Sequence, residues 1–480
     1  MPGTEINHNG IVGLTCDSRR VEPGYLFAAL PGSHADGRAY ISEAVKRGAA
    51  AVLAPPGTRY PERLEHRVPL IIDDNPRRRF AQMAARFFNL QPSIVALVTG
   101  TNAKTSVVSF LRQIWAAAGH RAACLGTLGL IAPGRMEKGD LTTPDPVTLH
   151  KIMHDLAQDG VERLALEASS HGLDQYRLDG VDVSAAAFTN LSRDHLDYHG
   201  SMENYLESKK RLFVEVMKPG GIAVLNADED WFDALSQTAA IRRQRVISFG
   251  RRGVDIRLDS IQALPDGQKL LVRVMGEAQT ITLPLIGGFQ AQNALCALGL
   301  ALACGEDAAS ALGALEKLEG APGRMQKVVS LEGGGSVYVD YAHTPGALAA
   351  VLSALRPHAK ANQGGRLHLV MGCGGDRDQG KRPEMGRVAQ ELADAVIVTD
   401  DNPRGENAAD IRRQILSACP GALEIGDRAE AIGKALSGLA PGDILVIAGK
   451  GHEQGQIVGD EILPFNDADA ARACVKELGL

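Results

Sequence analysis

The segment SIVALVTGTNAKTS, residues 93–106, leaves few folds open to this chain. An apolar run with strand character stops at Gly100-Thr101-Asn102-Ala103-Lys104-Thr105-Ser106, and the helix-like pattern VVSFLRQIWAAAG follows. Strand, tight polar loop with Lys-Thr, then helix is the arrangement that turns backbone N–H groups and a lysine towards the phosphates of a nucleotide. An ATP-using enzyme with α/β architecture is the expectation. The loop is shorter than a full phosphate-loop motif, and Ala103 stands before the lysine where glycine is usual. A β-carbon there crowds the phosphates or penalises a positive φ.

The rest of the chain bounds that reading. At 480 residues it has material for about three domains, each able to bury its own core. A net charge of −6 with mixed signs provides no basic footprint for nucleic acid, and no apolar run is long enough to cross a bilayer. The seven cysteines, Cys16, Cys124, Cys296, Cys304, Cys373, Cys419 and Cys474, form no Cys-x-x-Cys pair, and MPGTEINHNG carries no charged-then-apolar leader pattern. A cytoplasmic protein with reduced thiols is expected.

Punctuation divides the chain at two places. Up to residue 90, short apolar runs (LFAAL, AAVLA, VPLII) alternate with helix-like stretches; Gln91-Pro92 then introduces the strand that carries the phosphate loop. The runs RLALEAS, AAAFTNL, GIAVLNAD and RVISFG, spaced by helical segments, predict a mostly parallel sheet. After the linker-like LEGAPGR, a third α/β unit carries SVYVDYA, LHLVMG, ADAVIVTD and DILVIAG. The expected domains are 1–90, 91–325 and 326–480.

Polar clusters fall where these strands end, which is where open α/β sheets bind ligands. Glu167 closes RLALE and is placed to hold Mg²⁺ with the Thr105 hydroxyl, although helix-capping acids also occur at such positions. NLSRDHLDYH, residues 190–199, is dense in groups that ligate metals or move protons. YLESKKRLF, residues 205–213, spaces its cations like a solvated helix face, and Thr142-Thr143-Pro144 reads as a helix start.

In order along the chain, GTNAKTS, LEASSHGLDQYRL, FTNLSRDHLDYHGSMENYLESKKRLF, VLNADE, GGFQAQNALCA, APGRM, VDYAHTP, GGDRDQGKRP, DDNPR and AGKGHEQGQ resemble the Mur ligases of peptidoglycan synthesis. The resemblance is strongest to the branch that adds the third amino acid to UDP-N-acetylmuramoyl-L-alanyl-D-glutamate. It implies a UDP-binding N-terminal domain, a central P-loop-type ATPase domain on a mostly parallel sheet, and a Rossmann-like C-terminal domain for the incoming amino acid. It implies Ser18, Ser33, His34 and Ala35 at the uridine nucleotide, and Thr142, Thr143, Ser169, Gln175 and Arg177 at the muramoyl-dipeptide. Gly100 to Ser106, Asn293, Arg324, Asp340 and His343 would hold ATP from both sides of the domain junction. Thr105, Glu167, His195 and Lys209 would serve magnesium, with Lys209 as the carbamate this family carries; Lys104, Glu167, His195 and Lys209 would be catalytic.

DDNPR occurs twice, at residues 73–77 and 400–404. The first copy reads as a helix start with proline in the first turn. The second shares a domain with GGDRDQGKRP and AGKGHE, and there the resemblance implies meso-2,6-diaminopimelate, not L-lysine, as the amino acid added. Arg382 and Arg404 would grip its distal carboxylate, and Asp401, Asn402, Pro403, Gly449 and Glu453 would complete the pocket. The expected substrates are ATP, UDP-N-acetylmuramoyl-L-alanyl-D-glutamate and meso-2,6-diaminopimelate, handled by a monomer. The alternatives are the same reaction with L-lysine, or a ligase-like protein that binds nucleotide without turnover. Folylpolyglutamate synthase resembles the central domain but lacks a counterpart of DSRRV…GSHADGR. Two further departures are Gln290, where asparagine is more usual, and Leu141 before Thr142; neither is expected to touch the core chemistry.

Overall fold

The structure, a computed structural model, describes residues 10–32, 35–60, 68–331, 334–362 and 364–479. The chain forms two compact units: Met1–Lys104, His120–Ala223 and Asp233–Val246 make one, and Thr105–Gly119, Val224–Phe232 and Ile247–Leu480 make the other. Among the described residues no helix is long and apolar enough to cross a membrane, and all seven cysteines are free.

The first unit opens with four parallel strands in sequence order, Gly13–Thr15, Tyr25–Ala28, Ala51–Ala54 and Leu70–Ile72. Helix Pro76–Phe88 then begins as its sequence dictates. The Asn75 side chain accepts from Arg78 N, Pro76 sits in the first turn, and Asn89 closes the helix in the left-handed region. Phe80, Ala81, Met83 and Ala84 are buried at helical spacing. The first DDNPR copy is therefore a cap, as expected.

The phosphate-loop strand, Ile94–Thr99, lies between Arg163–Glu167 and Ala185–Phe188, parallel to both. Val95 to Val98 are fully buried, the continuous apolar run of a strand covered on both faces. Ala122–Gly126 continues the parallel set, and Gly129–Ala132 and Arg135–Glu137 add an antiparallel edge. The C-terminal ends of the parallel strands thus deliver Thr99, Glu167 and Phe188 to one edge.

In the second unit, the end of strand Arg245–Gly250 runs parallel to Ile256–Leu264. An antiparallel meander follows, Gly267–Val274 and Glu277–Leu283. The sequence reading passed over this meander, although KLLVRV alternates buried and exposed residues with the period of a half-covered strand. Helix Gly288–Ala303 is buried along most of its length. The C-terminal sheet orders its strands Gln326–Ser330, Ser336–Asp340, Ile444–Ala448, Leu367–Met371, Ala395–Val398 and Leu423–Glu424, parallel except for the first. Hairpin Gly455–Val458/Glu461–Pro464, also unforeseen, leaves this sheet.

Candidate active site

Gly100 follows the buried strand with a φ of 142°, and a Cβ there would overlap the Thr189 hydroxyl. The backbone can make this approach only as glycine. The loop is then latched by the FTNLS segment: Thr101 N donates to Asn190 O (2.9 Å) and Asn102 N to Asn190 Oδ1 (2.9 Å). Thr189 Oγ1 donates to Asn102 O (2.7 Å), and Ser192 N to Thr101 Oγ1 (3.0 Å). Lys104 opens helix Lys104–Ala117, and its Nζ donates back to Gly100 O (3.1 Å) and Thr101 O (2.8 Å). Thr105 and Ser106 are buried in the same first turn.

Ala103 adopts a φ of 75°. Of the two penalties expected for its β-carbon, the conformational one is present in the fold. Ala103→Gly should stabilise the protein by on the order of 1 kcal/mol, the left-handed penalty less the extra unfolded-state entropy of glycine. The Michaelis constant for ATP should move by about tenfold or less. Urea midpoints and steady-state rates check both; a destabilised glycine variant would mean the methyl group packs favourably.

A second network surrounds Glu167, which is buried at the end of its strand. Its Oε1 accepts from Thr127 N (2.9 Å) and its Oε2 from Thr127 Oγ1 (3.2 Å), which also contacts Thr142 Oγ1 (3.1 Å). Thr143 Oγ1 donates to Glu167 O (2.9 Å), and Ser169 Oγ meets Thr143 Oγ1 (3.0 Å) while capping Gly172 N. Arg177 donates to Thr143 O (2.7 Å) and Gln175 Oε1 (2.7 Å). All five residues implied for the muramoyl-dipeptide therefore join one hydrogen-bonded cluster. Thr142-Thr143-Pro144 is not itself the helix start: helix Pro146–Gln158 begins later, capped by Asp145.

The basic run divides by burial, contrary to a solvated helix face. On helix Met202–Arg211, Lys209 and Arg211 are buried and Lys210 is not. Arg211 pairs with Asp179 (2.6 Å) and donates to Leu173 O (2.7 Å), which makes it a brace. Lys209 Nζ donates to Gly100 O at 2.7 Å, the same carbonyl that Lys104 reaches, and lies over the Tyr205 ring at 4.4 Å. Burial, and then the neighbouring Lys104 charge, hold the Lys209 amine well below the usual lysine range.

His195 is exposed, with a φ of 51°, and its ring meets His171 edge-on at 4.9 Å. His199, Tyr198 and Tyr205 extend this aromatic group, and Tyr205 OH reaches Thr101 Oγ1 (3.2 Å). His171, Tyr198 and Tyr205 lay inside quoted motifs but were not singled out. Among the described residues no three His, Cys, Asp or Glu side chains are gathered to hold a metal. The expected magnesium residues Glu167 and His195 thus stand without a third such ligand beside them. Glu167 fits such a site: it is a buried carboxylate whose described donors are neutral.

Towards the N-terminus, Ser18 donates to Glu43 Oε2 (3.1 Å), and Ala35 O accepts from Gly32 N (2.9 Å). Ser33 and His34 lie outside the described residues.

The second unit gathers the other residues implied for the nucleotide. Asp340 ends its strand buried and accepts from Met325 N and Ala342 N (2.8 Å each). Burial raises its carboxyl pKa, against the Arg324 charge. The Arg324 guanidinium lies over the Tyr341 ring at 4.4 Å, with His343 and His452 against the same ring. Asn293 Nδ2 donates to Gln290 Oε1 (2.9 Å), and Gln290 Nε2 to Arg324 O (3.4 Å). Gln290 thus ties two residues of this cluster together.

The second DDNPR copy caps nothing: the next helix, Ala408–Leu416, starts from Asn407. Arg404, with a φ of 52°, is half-buried and donates to Gly375 O (2.9 Å) and Asn402 O (3.5 Å). Asn402 Nδ2 donates to Glu453 Oε2 (2.9 Å). Gly449 has a φ of 116°, and a Cβ there would come within 2.7 Å of Asp401 Oδ2. Pro403 is buried between them in sequence. Arg382 was expected to grip the distal carboxylate. It is fully buried, with its guanidinium on Glu406 (2.8 and 2.9 Å), Gln414 Oε1 (2.9 Å) and Gly374 O (3.2 Å), so its charge is already met. The Arg382 hydrogen bonds hold the Glu406 carboxyl down at about 2. Glu406 and the fully buried Lys450 were missed; an acid and a lysine following glycine carry no sequence signal that distinguishes them from surface residues.

Three family models cover most of the chain: "Mur ligase family, catalytic domain" over residues 10–88, "Mur ligase middle domain" over 98–301, and "Mur ligase, glutamate ligase domain" over 323–451. Similar curated proteins include UDP-N-acetylmuramoyl-L-alanyl-D-glutamate--2,6-diaminopimelate ligase of Agrobacterium fabrum, 51% identical over 99% of this chain and 95% of the relative. The protein of the same name from Bradyrhizobium diazoefficiens is 52% identical over 97% and 95%. A solved structure of a ligase of that name superposes with a TM-score of 0.75 at 33% identity, covering 98% of this chain and 96% of that one. With half its residues shared along nearly its whole length, the chain belongs to the Mur ligase family.

Proposed function

We propose that this chain is an ATP-dependent ligase that adds meso-2,6-diaminopimelate to UDP-N-acetylmuramoyl-L-alanyl-D-glutamate during peptidoglycan synthesis. It works as a cytoplasmic monomer whose residues 1–90, 91–325 and 326–480 serve UDP, ATP and the incoming amino acid. The observation that carries the chemistry is the convergence of Lys104 and Lys209 on the Gly100 carbonyl of the phosphate loop. The amino acid is supported by the relatives' names and by Arg404, whose charge has no described carboxylate partner.

Both bond-making steps build negative charge on oxygen. An oxygen of the D-glutamate side-chain carboxylate attacks the γ-phosphorus of ATP and ADP departs; the amine then attacks the acyl carbon, losing a proton as phosphate leaves. Lys104 and the loop N–H groups not engaged by Asn190 are the donors for the transferring phosphoryl group. Arg177 and the Thr143–Ser169 pair hold the acceptor, and no side-chain nucleophile is required. Magnesium, when bound, supplies charge neutralisation, and Thr105, Glu167, His195 and a carbamylated Lys209 would hold it. A carbamate fits this position because burial and the Lys104 charge lower the Lys209 pKa, which favours the form of the amine that can add CO₂.

Phosphate release should require ATP, the UDP-dipeptide and diaminopimelate together. Rapid ATP hydrolysis with neither acceptor nor amino acid present would contradict a ligase.

A further inference from the structure

We propose that Lys450 is a positioning residue that sets amino-acid specificity: it cancels the charge of Glu453 and fixes the Asn402 amide, so the pocket selects a zwitterionic terminus over a lone ammonium. This rests on the reading above that the second DDNPR segment receives the amino acid.

Lys450 Nζ donates to Asn402 Oδ1 (2.9 Å) and to Glu453 Oε2 (3.0 Å). An ammonium donates and never accepts, so its contact identifies the acceptor end of the Asn402 amide. Ile457 N, at 2.9 Å from the same oxygen, demands the same orientation. Asn402 Nδ2 must then face Glu453 Oε2, as it does at 2.9 Å. One oxygen of Glu453 is thus occupied twice from within the protein, while Oε1 has no hydrogen bond among the described residues. The Glu453 side chain is 32% exposed and Lys450 is 0% exposed, so the lysine compensates from the interior a carboxylate that solvent or a ligand can still reach.

The charges around this point then favour one kind of ligand. Arg382 is neutralised by Glu406 and Glu453 by Lys450, which leaves Arg404, two residues from Asn402, without a described carboxylate partner. A terminus that carries an ammonium and a carboxylate satisfies Glu453 Oε1 and Arg404 together. Lysine brings a cation to a carboxylate already neutralised and leaves Arg404 unmatched.

The test compares kcat/KM for meso-diaminopimelate and L-lysine in the unmodified enzyme and in Lys450→Met, a substitution of similar volume. Asn402 Oδ1 keeps Ile457 N as a donor, and the exposed side of Glu453 keeps its water. The expected result is a diaminopimelate-to-lysine ratio lowered by roughly tenfold or more, through a higher KM for diaminopimelate and an unchanged or improved rate with lysine. A proportional loss with both amino acids would show that Lys450 only supports the fold, and an unchanged ratio would show that its charge is irrelevant; either overturns the proposal. If Lys450→Met does not fold, inhibition of the unmodified enzyme decides. 2-Aminopimelate, which keeps the distal carboxylate and lacks the ammonium, should bind at least tenfold more tightly than L-lysine, and the reverse order would sink the idea. An unmodified enzyme that uses neither amino acid, or prefers lysine, would instead refute the underlying functional reading.

Discussion

Lys209→Ala is expected to lower turnover by about 10³-fold or more, while affinity for the UDP-dipeptide changes by no more than a few-fold. Lys209 and Lys104 both donate to the Gly100 carbonyl, and burial makes two adjacent ammonium groups at one oxygen unfavourable. Conversion of Lys209 to a carbamate resolves the conflict by turning a cation into an anion beside Lys104. Thr143, Ser169 and Arg177, proposed above to hold the acceptor, are linked to one another without Lys209, so acceptor binding should survive its loss. Protonation of the amine competes with CO₂ addition, so carbamate occupancy should rise with pH, and ¹³C NMR of enzyme in labelled bicarbonate can follow it. Near-normal turnover of Lys209→Ala, with no rescue of any deficit by short carboxylates, would remove the carbamate from the mechanism.

The unmodified enzyme should prefer meso-diaminopimelate to L-lysine by roughly 10⁴ in kcat/KM, and Arg404→Ala should lose most of that preference. The guanidinium is held by backbone carbonyls at Gly375 and Asn402 and is half-buried. A partly buried cation waiting for a carboxylate penalises any ligand that fails to provide one. Removing it should cost roughly 10³-fold in kcat/KM for diaminopimelate, with the Michaelis constants for ATP and the UDP-dipeptide changed about threefold or less. Comparable kcat/KM for the two amino acids in the unmodified enzyme would falsify the assignment.

Elements whose cause is local were legible in the sequence. The phosphate-loop strand announced itself as a continuous apolar run, and Asn75-Pro76 as a cap followed by a first-turn proline. The meander Ile256–Leu283 was missed because its exposed positions blur the alternation and no ligand motif marks it. The sequence likewise singled out Gly100, Lys104, Glu167 and the residues implied for the muramoyl-dipeptide, which the structure links by hydrogen bonds.

What the sequence determined by itself is the family, the strand–loop–helix at residues 94–117 and the helix start at the first of two identical pentapeptides, because neighbours in the chain set each of those. What only the tertiary structure decided is which charges are still available. KKR contains one buried amine beside the phosphate loop, one half-buried lysine paired with Glu207 and one brace to Asp179. Of the two arginines expected to meet a carboxylate, Arg382 is already paired with Glu406, and Arg404 is not. Glu453, expected to complete the amino-acid pocket, is backed by Lys450. The strength of a charge depends on burial and on its partners, and for these residues the partners come from segments up to 109 positions away along the chain.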